Sequence, residues 1–497
     1  MSTSVSSGRS SLLCAAAALG LVLAFSQQDS ARAQTLEQAI SRAYAANPTL
    51  NAQRANVRAI DEQVPQALSG YRPTVSVTAD VGAQYTNVKR KGSGGGGQFA
   101  PTGNPATDAN FQALGQTLGS LGGPNKGRTY PRSAGIQASQ NVFDGFRTKN
   151  QVRSAESNIL AAREDLRNTE QNVLFDVAQA YMDVLRDYAI LDIRKNNVDV
   201  LKEEQRAADE RFKVGEVTRT DTAQAEARVQ GALTAVSQAE AQLNTSRATY
   251  RQVVGDEIGR PKAAKSIDRV LPKSLPAAIN LSQAQHPAIL ASLHGIDAAT
   301  LQIRVFEADL MPQVSLQGSL QRSWDDSLST KGYRTTAASV VGQLTIPIYQ
   351  GGAPSSRIRQ AKETAGQRRL DADTARDQVR QSVVSAWGTV QGATASIKSA
   401  QAQIEANQVA LNGVREEAKV GQRTTLDVLN AQQEVLVARE SLINAQRDRM
   451  VGAYALLSAV GWLSAQKLSL KVAGYDPNVH YDQVRDKWGG LRTPDGR

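Results

Sequence analysis

Little in this chain could hold a metal, form a disulfide or fill a large globular core. Of 497 residues, one is cysteine, three are histidine and 5% are aromatic. The cysteine, Cys14, lies within residues 1–33, which read as a secretory signal: Arg9, an apolar run from Leu12 to Phe25, then Ala31-Arg32-Ala33 as a small-x-small cleavage site. Leu13 and the short basic segment do not fit lipidation at Cys14. From Gln34 onward there is no thiol, which excludes disulfides and thiolate metal sites there. His286, His294 and His480 are too few and too scattered for a metal cluster. No stretch after residue 33 approaches the roughly 18–20 apolar residues of a spanning helix, so any membrane crossing has to use strands. A phosphate-binding glycine loop ending in Lys-Ser or Lys-Thr is missing, as is any nucleophile–base pair or carboxylate constellation with supporting context. Neither catalysis nor a cofactor is expected.

What is present points to long, narrow helices. Alanine and glutamine are abundant, and the formal charge of +10 is spread over segments where Lys and Arg interleave with Glu and Asp. Solvated helix faces account for that charge better than nucleic-acid binding.

The chain also contains itself twice. Lys213-Val214-Gly215 with Thr218 and Asp221 recurs as Lys419-Val420-Gly421 with Thr424 and Asp427, and Val254-Gly255 recurs as Val460-Gly461, every pair 206 positions apart. Upstream, Asn47-Pro48 answers His286-Pro287 and Arg72-Pro73 answers Met311-Pro312, 239 apart, so an insertion of 33 residues lies in the first copy. One structural unit used twice follows, residues 34–259 and 260–467, with a tail over 468–497.

Each copy is expected to open with a helix, 36–70 or 280–309, that ends before a proline. Pro65 has no counterpart in the second copy and predicts a kink or early stop. Strict alternation follows: Val75, Val77, Ala79 and Val81 against Thr74, Ser76, Thr78 and Asp80, then Val314, Leu316, Leu320 and Trp324 against Ser315, Gln317, Ser319 and Gln321. Strands are expected over 71–88, 129–143, 312–324 and 333–349. An apolar face opposite a small-polar one fits a transmembrane barrel, although a soluble sheet with one wet face shares the period. Residues 89–128, with glycine at nearly every position from 92 to 97, read as a disordered surface loop. Four strands cannot close a barrel, and an open edge is forbidden in lipid, so closure requires further copies.

Long helices follow over about 146–212 and 352–418, on the order of 100 Å each at 1.5 Å per residue. Each ends at Val-Gly, and a capping box, Thr218-x-x-Asp221 or Thr424-x-x-Asp427, opens a second helix over 218–255 or 424–461. The shorter helices could stack end to end to match the long ones, giving four rods per chain.

At the strand-to-helix joins stand Gln140-Asn141-Val142-Phe143-Asp144-Gly145 and 344–352, which includes Pro347 and Gly351-Gly352. With the two Val-Gly-x-x-Thr-x-x-Asp tips, these motifs resemble those of the TolC family of outer membrane channel proteins over nearly the whole chain after residue 33. The resemblance implies a mixed α and β homotrimer with a twelve-stranded barrel in outer membrane lipid and a twelve-helix periplasmic tunnel. It implies a passive exit duct for efflux or type I secretion. Its expected partners are a periplasmic adaptor and an inner membrane RND or ABC transporter.

Within that resemblance, Asp221, Arg423 and Asp427 correspond to a closing network at the periplasmic end. Asn430 stands where some relatives carry a second acidic ring, which weakens expected cation binding at the mouth. Arg423 is the sharpest of these because its counterpart is Val217. For the aspartates, helix capping alone is an equal explanation. Lys213, Val214, Gly215, Thr218 and Thr220, with Lys419, Val420, Gly421, Thr424 and Thr425, are the expected adaptor-docking tips, against a merely solvated hairpin. A trimeric coiled-coil adhesin or a structural envelope protein is the competing class, disfavoured because strands sit between helices in both halves.

Overall fold

The computed structural model describes residues 34–87, 104–120, 126–325 and 333–496. The signal segment with Cys14, the glycine run and residues 326–332 lie outside the described residues. Two compact units are present: one of Met1–Ile60, Leu160–Leu293 and Arg369–Val479, the other of Asp61–Ile159, His294–Arg368 and His480–Arg497.

In the second unit, β1 (Thr74–Val81), β4 (Arg132–Phe143), β5 (Gln313–Asp325) and β6 (Tyr333–Thr345) form one antiparallel sheet in the order β1-β4-β5-β6. The central pair therefore joins the two copies, and β1 and β6 are the edges. Register decides which residues share a face: Val77 opposes Ile136, Ile136 opposes Leu320, and Leu320 opposes Ala338. The other face carries Ser76, Gln137, Ser319 and Ser339, with the last two hydroxyls 2.8 Å apart. Val77 is 74% exposed and Val340 77%. An apolar face this exposed fits lipid as its solvent.

Strands end where the backbone demands it. In the first copy Gly82 and Ala83 interrupt the expected 71–88 strand, and β2 (Gln84–Asn87) pairs instead with β3 (Lys126–Thr129) in a separate ribbon. The 333–349 expectation runs four residues long, because Pro347 has no amide to continue the ladder beyond Thr345. The expected 89–128 loop is not uniformly irregular: residues Pro105–Ser120 form a helix, α4, opened by Asn104, whose side chain accepts from the Ala106 amide at 3.2 Å.

The join after β4 is fixed by Asp144 and Gly145. Asp144 Oδ2 accepts from the Thr148 amide at 2.8 Å, and Gly145 lies at φ 66°. A β-carbon there would sit 2.6 Å from Met311 Cβ, so no other residue fits without displacement. Arg147 pairs with Asp309 across the two copies.

The opening helices are shorter than expected. The 36–70 span divides into α1 (Leu36–Ala46), α2 (Pro48–Asp61) and α3 (Gln63–Leu68), and the 280–309 span into α7 (Leu275–Gln285) and α8 (Pro287–Glu307). Breaks fall at Asn47-Pro48, Glu62 and His286-Pro287. Pro65 stands in the first turn of α3, where a proline costs no hydrogen bond, so the stop comes three residues before it. Asn47 caps its break through Oδ1, which accepts from the Thr49 amide at 2.9 Å, while its Nδ2 donates to the Val253 carbonyl at 2.8 Å.

The long helices are α5 (Arg147–Lys213) and α9 (Ala353–Lys419), each 67 residues, followed by α6 (Arg219–Val254) and α10 (Thr425–Val460). Along α9 the buried residues Ala365, Ala372, Val379, Val383, Ala386, Ala393 and Ala400 recur at spacings of three, four or seven. That is a heptad seam of mostly small side chains, which explains the alanine-rich composition and allows close helix approach. The first unit has a fuller core, where Ile40, Leu50 and Val57 meet Leu174, Val177, Tyr181, Leu243 and Leu457. Burial pushes the Tyr181 phenol up to about 12, and its hydroxyl is shared between the Gln34 and Lys262 carbonyls.

The tail carries α11 (Pro477–Val484). In the second unit, His480 Nδ1 lies 3.0 Å from the buried Asp61 Oδ2, and Arg72 donates to the Lys487 carbonyl while stacking on Trp488 at 4.7 Å.

Candidate functional site at the hairpin tips

Both tips are built by glycine and threonine. Lys213 ends α5, Gly215 turns left-handed at φ 82°, and its amide and that of Glu216 satisfy the Phe212 and Arg211 carbonyls at 3.0 and 2.9 Å. Gly421 does the same at φ 77°, with Gln422 donating to the Glu417 carbonyl at 2.9 Å. Thr218 and Thr424 then cap the returning helices. Asp221 Oδ2 accepts from the Thr218 amide and hydroxyl at 2.9 and 2.8 Å, and Asp427 Oδ2 from those of Thr424 at 3.0 and 2.9 Å. Between glycine and helix, Val214 and Val420 stand 72% and 71% exposed. Lys213 and Lys419 each pair back along their own helix, with Glu210 and Glu416 at 2.8 Å. Thr220 is exposed and Thr425 half-buried in the first turns.

The two tips differ at one pair. Arg423 Nε donates to Glu417 Oε2 at 2.8 Å, whereas the matching positions in the first copy are Val217 and Arg211, which cannot pair. The Glu417 carboxylate holds the Arg423 guanidinium above its ordinary range. Asp427 is held below the usual carboxylate range by the Thr424 amide and hydroxyl, with the Arg423 charge adding to them. Among the described residues no hydrogen bond or ion pair joins Asp221 to Arg423 or Asp427; each aspartate is occupied by its own cap. Asn430 does reach the other copy: Arg228 on α6 donates to its Oδ1 at 2.8 Å.

That bond belongs to a ladder running up α10, which motif reading missed. Gln432 Nε2 donates to Glu204 Oε1 at 2.9 Å, and Arg415 donates to the same atom at 3.2 Å. Arg194 pairs with Glu440 at 2.7 Å, and Arg447 with Asp183 at 2.8 Å. Arg194, Arg228, Leu201, Leu429, Gln432 and Glu440 line a cavity of about 360 Å³. A signal for them existed. The positions matching Asp183, Arg194, Glu204, Glu440 and Arg447 are Thr389, Ala400, Ala410, Thr234 and Ala241, so each rung breaks the duplication as Arg423 does.

The arrangement has neither a metal-holding cluster among the described residues nor a reacting constellation. What it offers is a polar seam between two copies of one helical hairpin, ending in exposed valine-glycine turns. Residues 39–256 and 278–462 match the outer membrane efflux protein family. The chain is 41% identical to the outer membrane efflux protein BepC of Brucella suis over 94% of both chains. It is 24% identical to the alkaline protease secretion protein AprF of Pseudomonas aeruginosa, over 68% of this chain and 72% of that one. Among solved structures, the Campylobacter jejuni CmeC outer membrane channel superposes with a TM-score of 0.71 at 16% identity, covering 91% and 89% of the two chains. The chain belongs to the outer membrane efflux protein family, with the duplicated strand-and-helix fold of TolC-like channels and a place in the Gram-negative outer membrane.

Proposed function

We propose that three copies of this chain form the passive exit duct of a tripartite export system, receiving cargo from an inner membrane transporter through a periplasmic adaptor. The observation that carries this reading is the four-stranded sheet with an exposed apolar face and two open edges. In lipid its edges have to pair with further chains, and three chains supply the twelve strands of a closed barrel.

Arg423, Asp427 and Asn430 act in this reading as the periplasmic gate, together with the ladder that ties α10 to the first copy. Asp221 supports the gate through its cap. Opening requires α10 to leave Arg228, Glu204, Arg194 and Asp183, so these bonds favour the closed state. The turns at 213–220 and 419–425 are the docking surface: their valines are exposed, and their lysines are held back along their own helices by glutamates.

Cysteines introduced as Gly215→Cys and Gly421→Cys, in a chain without another thiol after residue 33, test the docking assignment. Crosslinks to a co-expressed adaptor at both tips are expected. Adducts at neither tip, with trimers intact, would remove it.

A further inference from the structure

Register brings three arginines into one place on the apolar face of the sheet. Arg132 on β4 opposes Trp324 on β5, and Trp324 opposes Arg334 on β6. Arg322 lies two residues before Trp324 on the same face and stacks on its ring at 5.4 Å. All three arginines are exposed, and that face of the four strands carries no Asp or Glu among the described residues. Asp80 belongs to the other face. The cations are thus left without carboxylates beside them on that face, which is otherwise mostly apolar, with Thr336 opposite Arg322 as its nearest polar neighbour across the ladder.

Their height is informative. Ten residues separate Trp324 from Val314, the last apolar residue before the helical end of β5. At about 3.4 Å per residue that is about 34 Å along the strand. A tilt of about 40° reduces it to roughly 26 Å, close to the height of a barrel's apolar band. Arg132, Trp324 and Arg334 therefore form a row at the far border of that band, at the end opposite the helices. Given the orientation in the proposed function, on which this inference rests, that border faces the outer leaflet.

We infer that Arg132, Arg322 and Arg334 with Trp324 form a binding site for the phosphorylated glycolipid of the outer leaflet. The guanidinium groups would take its phosphate bidentately, and the Trp324 ring would lie at the sugar–acyl boundary. Arginine suits such a site because its fork matches phosphate oxygens, and stacking on Trp324 pre-orients Arg322.

The test compares the purified full-length channel with an Arg132→Gln/Arg322→Gln/Arg334→Gln variant by native mass spectrometry, titrating bis-phosphorylated lipid A, its fully dephosphorylated form and inorganic phosphate. Wild type is expected to hold the phosphorylated lipid at least tenfold more tightly than the dephosphorylated one, and the variant to lose that preference. Equal retention of both lipids by wild type, unchanged preference in the variant, or inorganic phosphate displacing the lipid at equimolar concentration would overturn the glycolipid site. Insertion into liposomes, measured on the same samples, separates the two readings. Failure of wild type to insert sinks the membrane orientation itself, whereas insertion without phosphate preference sinks only the arginine site.

Discussion

Arg228 donates to Asn430 at 2.8 Å, and this bond ties the returning helix of the first copy to that of the second near the tips. Both side chains are exposed, so the bond contributes little to global stability, roughly 0.5–1.5 kcal/mol at most. Its consequence lies in the balance between closed and open tips. Arg228→Ala and Asn430→Ala should each raise single-channel conductance in planar bilayers, and the double variant should add little to either. Additive increases would mean that the two residues do not act on each other.

Arg423 and Asp427 separate gating from capping. Asp427→Ala removes the carboxylate half of the Thr424 capping box and should loosen the helix end as well as raise conductance. Arg423→Ala leaves the cap intact, so its effect reports gating alone. Conductance unchanged in Arg423→Ala would leave Asp427 with a structural role.

Acid should loosen the second tip. The folded pKa of Asp427 is depressed, so the stability it supplies is present above the ordinary carboxylate range and is lost as pH falls through the depressed value. Protection of the amides at 424–428, taken relative to their intrinsic exchange rates, should therefore fall below about pH 4. Protection there that does not change with acid would contradict the assignment.

His286 should make the first unit pH-dependent nearer neutrality. Burial first, and the Arg167 charge second, hold its imidazole down at about 4, and Nδ1 accepts from the Ala288 amide at 3.2 Å. Between that value and about 6.5 the unfolded chain binds a proton that the folded chain refuses, so stability falls with pH across this window, by about 3 kcal/mol at most. Asn47 performs the same cap in the first copy without titrating. His286→Asn should keep the cap and flatten the pH slope in denaturant melts; a slope unchanged in this variant would place its origin elsewhere.

His480 should anchor the tail. It faces the fully buried carboxylate of Asp61 at 3.0 Å. His480→Ala removes a hydrogen-bond partner of a fully buried carboxyl group and is expected to destabilise the second unit by about 1–3 kcal/mol. A melting temperature within error of wild type would mean that the tail is held by Arg72 and Trp488 instead.

The fold was legible where chemistry repeats. Alternation placed Val77 and Leu320 on the apolar face, and glycine with threonine three residues before aspartate marked both tips. What escaped was the point at which a helix breaks. Pro65 looked disruptive but stands in a first turn, while Glu62 carries no breaking signal of its own. The helix at Pro105–Ser120 was hidden beside a glycine run that dominated the composition of its segment. At the site, the caps could be read because they are local, separated by three residues. The ladder of Glu204 with Gln432 and Arg194 with Glu440 joins residues more than two hundred apart, and only its asymmetry between copies was visible beforehand.

The exit-duct claim itself is tested most directly by reconstituting the purified chain from residue 34 onward into planar bilayers and recording wild type beside Arg228→Ala/Arg423→Ala. Discrete, trimer-dependent channels are expected, with a small unit conductance in wild type that rises several-fold in the variant. Intact trimers that insert into the bilayer yet conduct in neither form would contradict it.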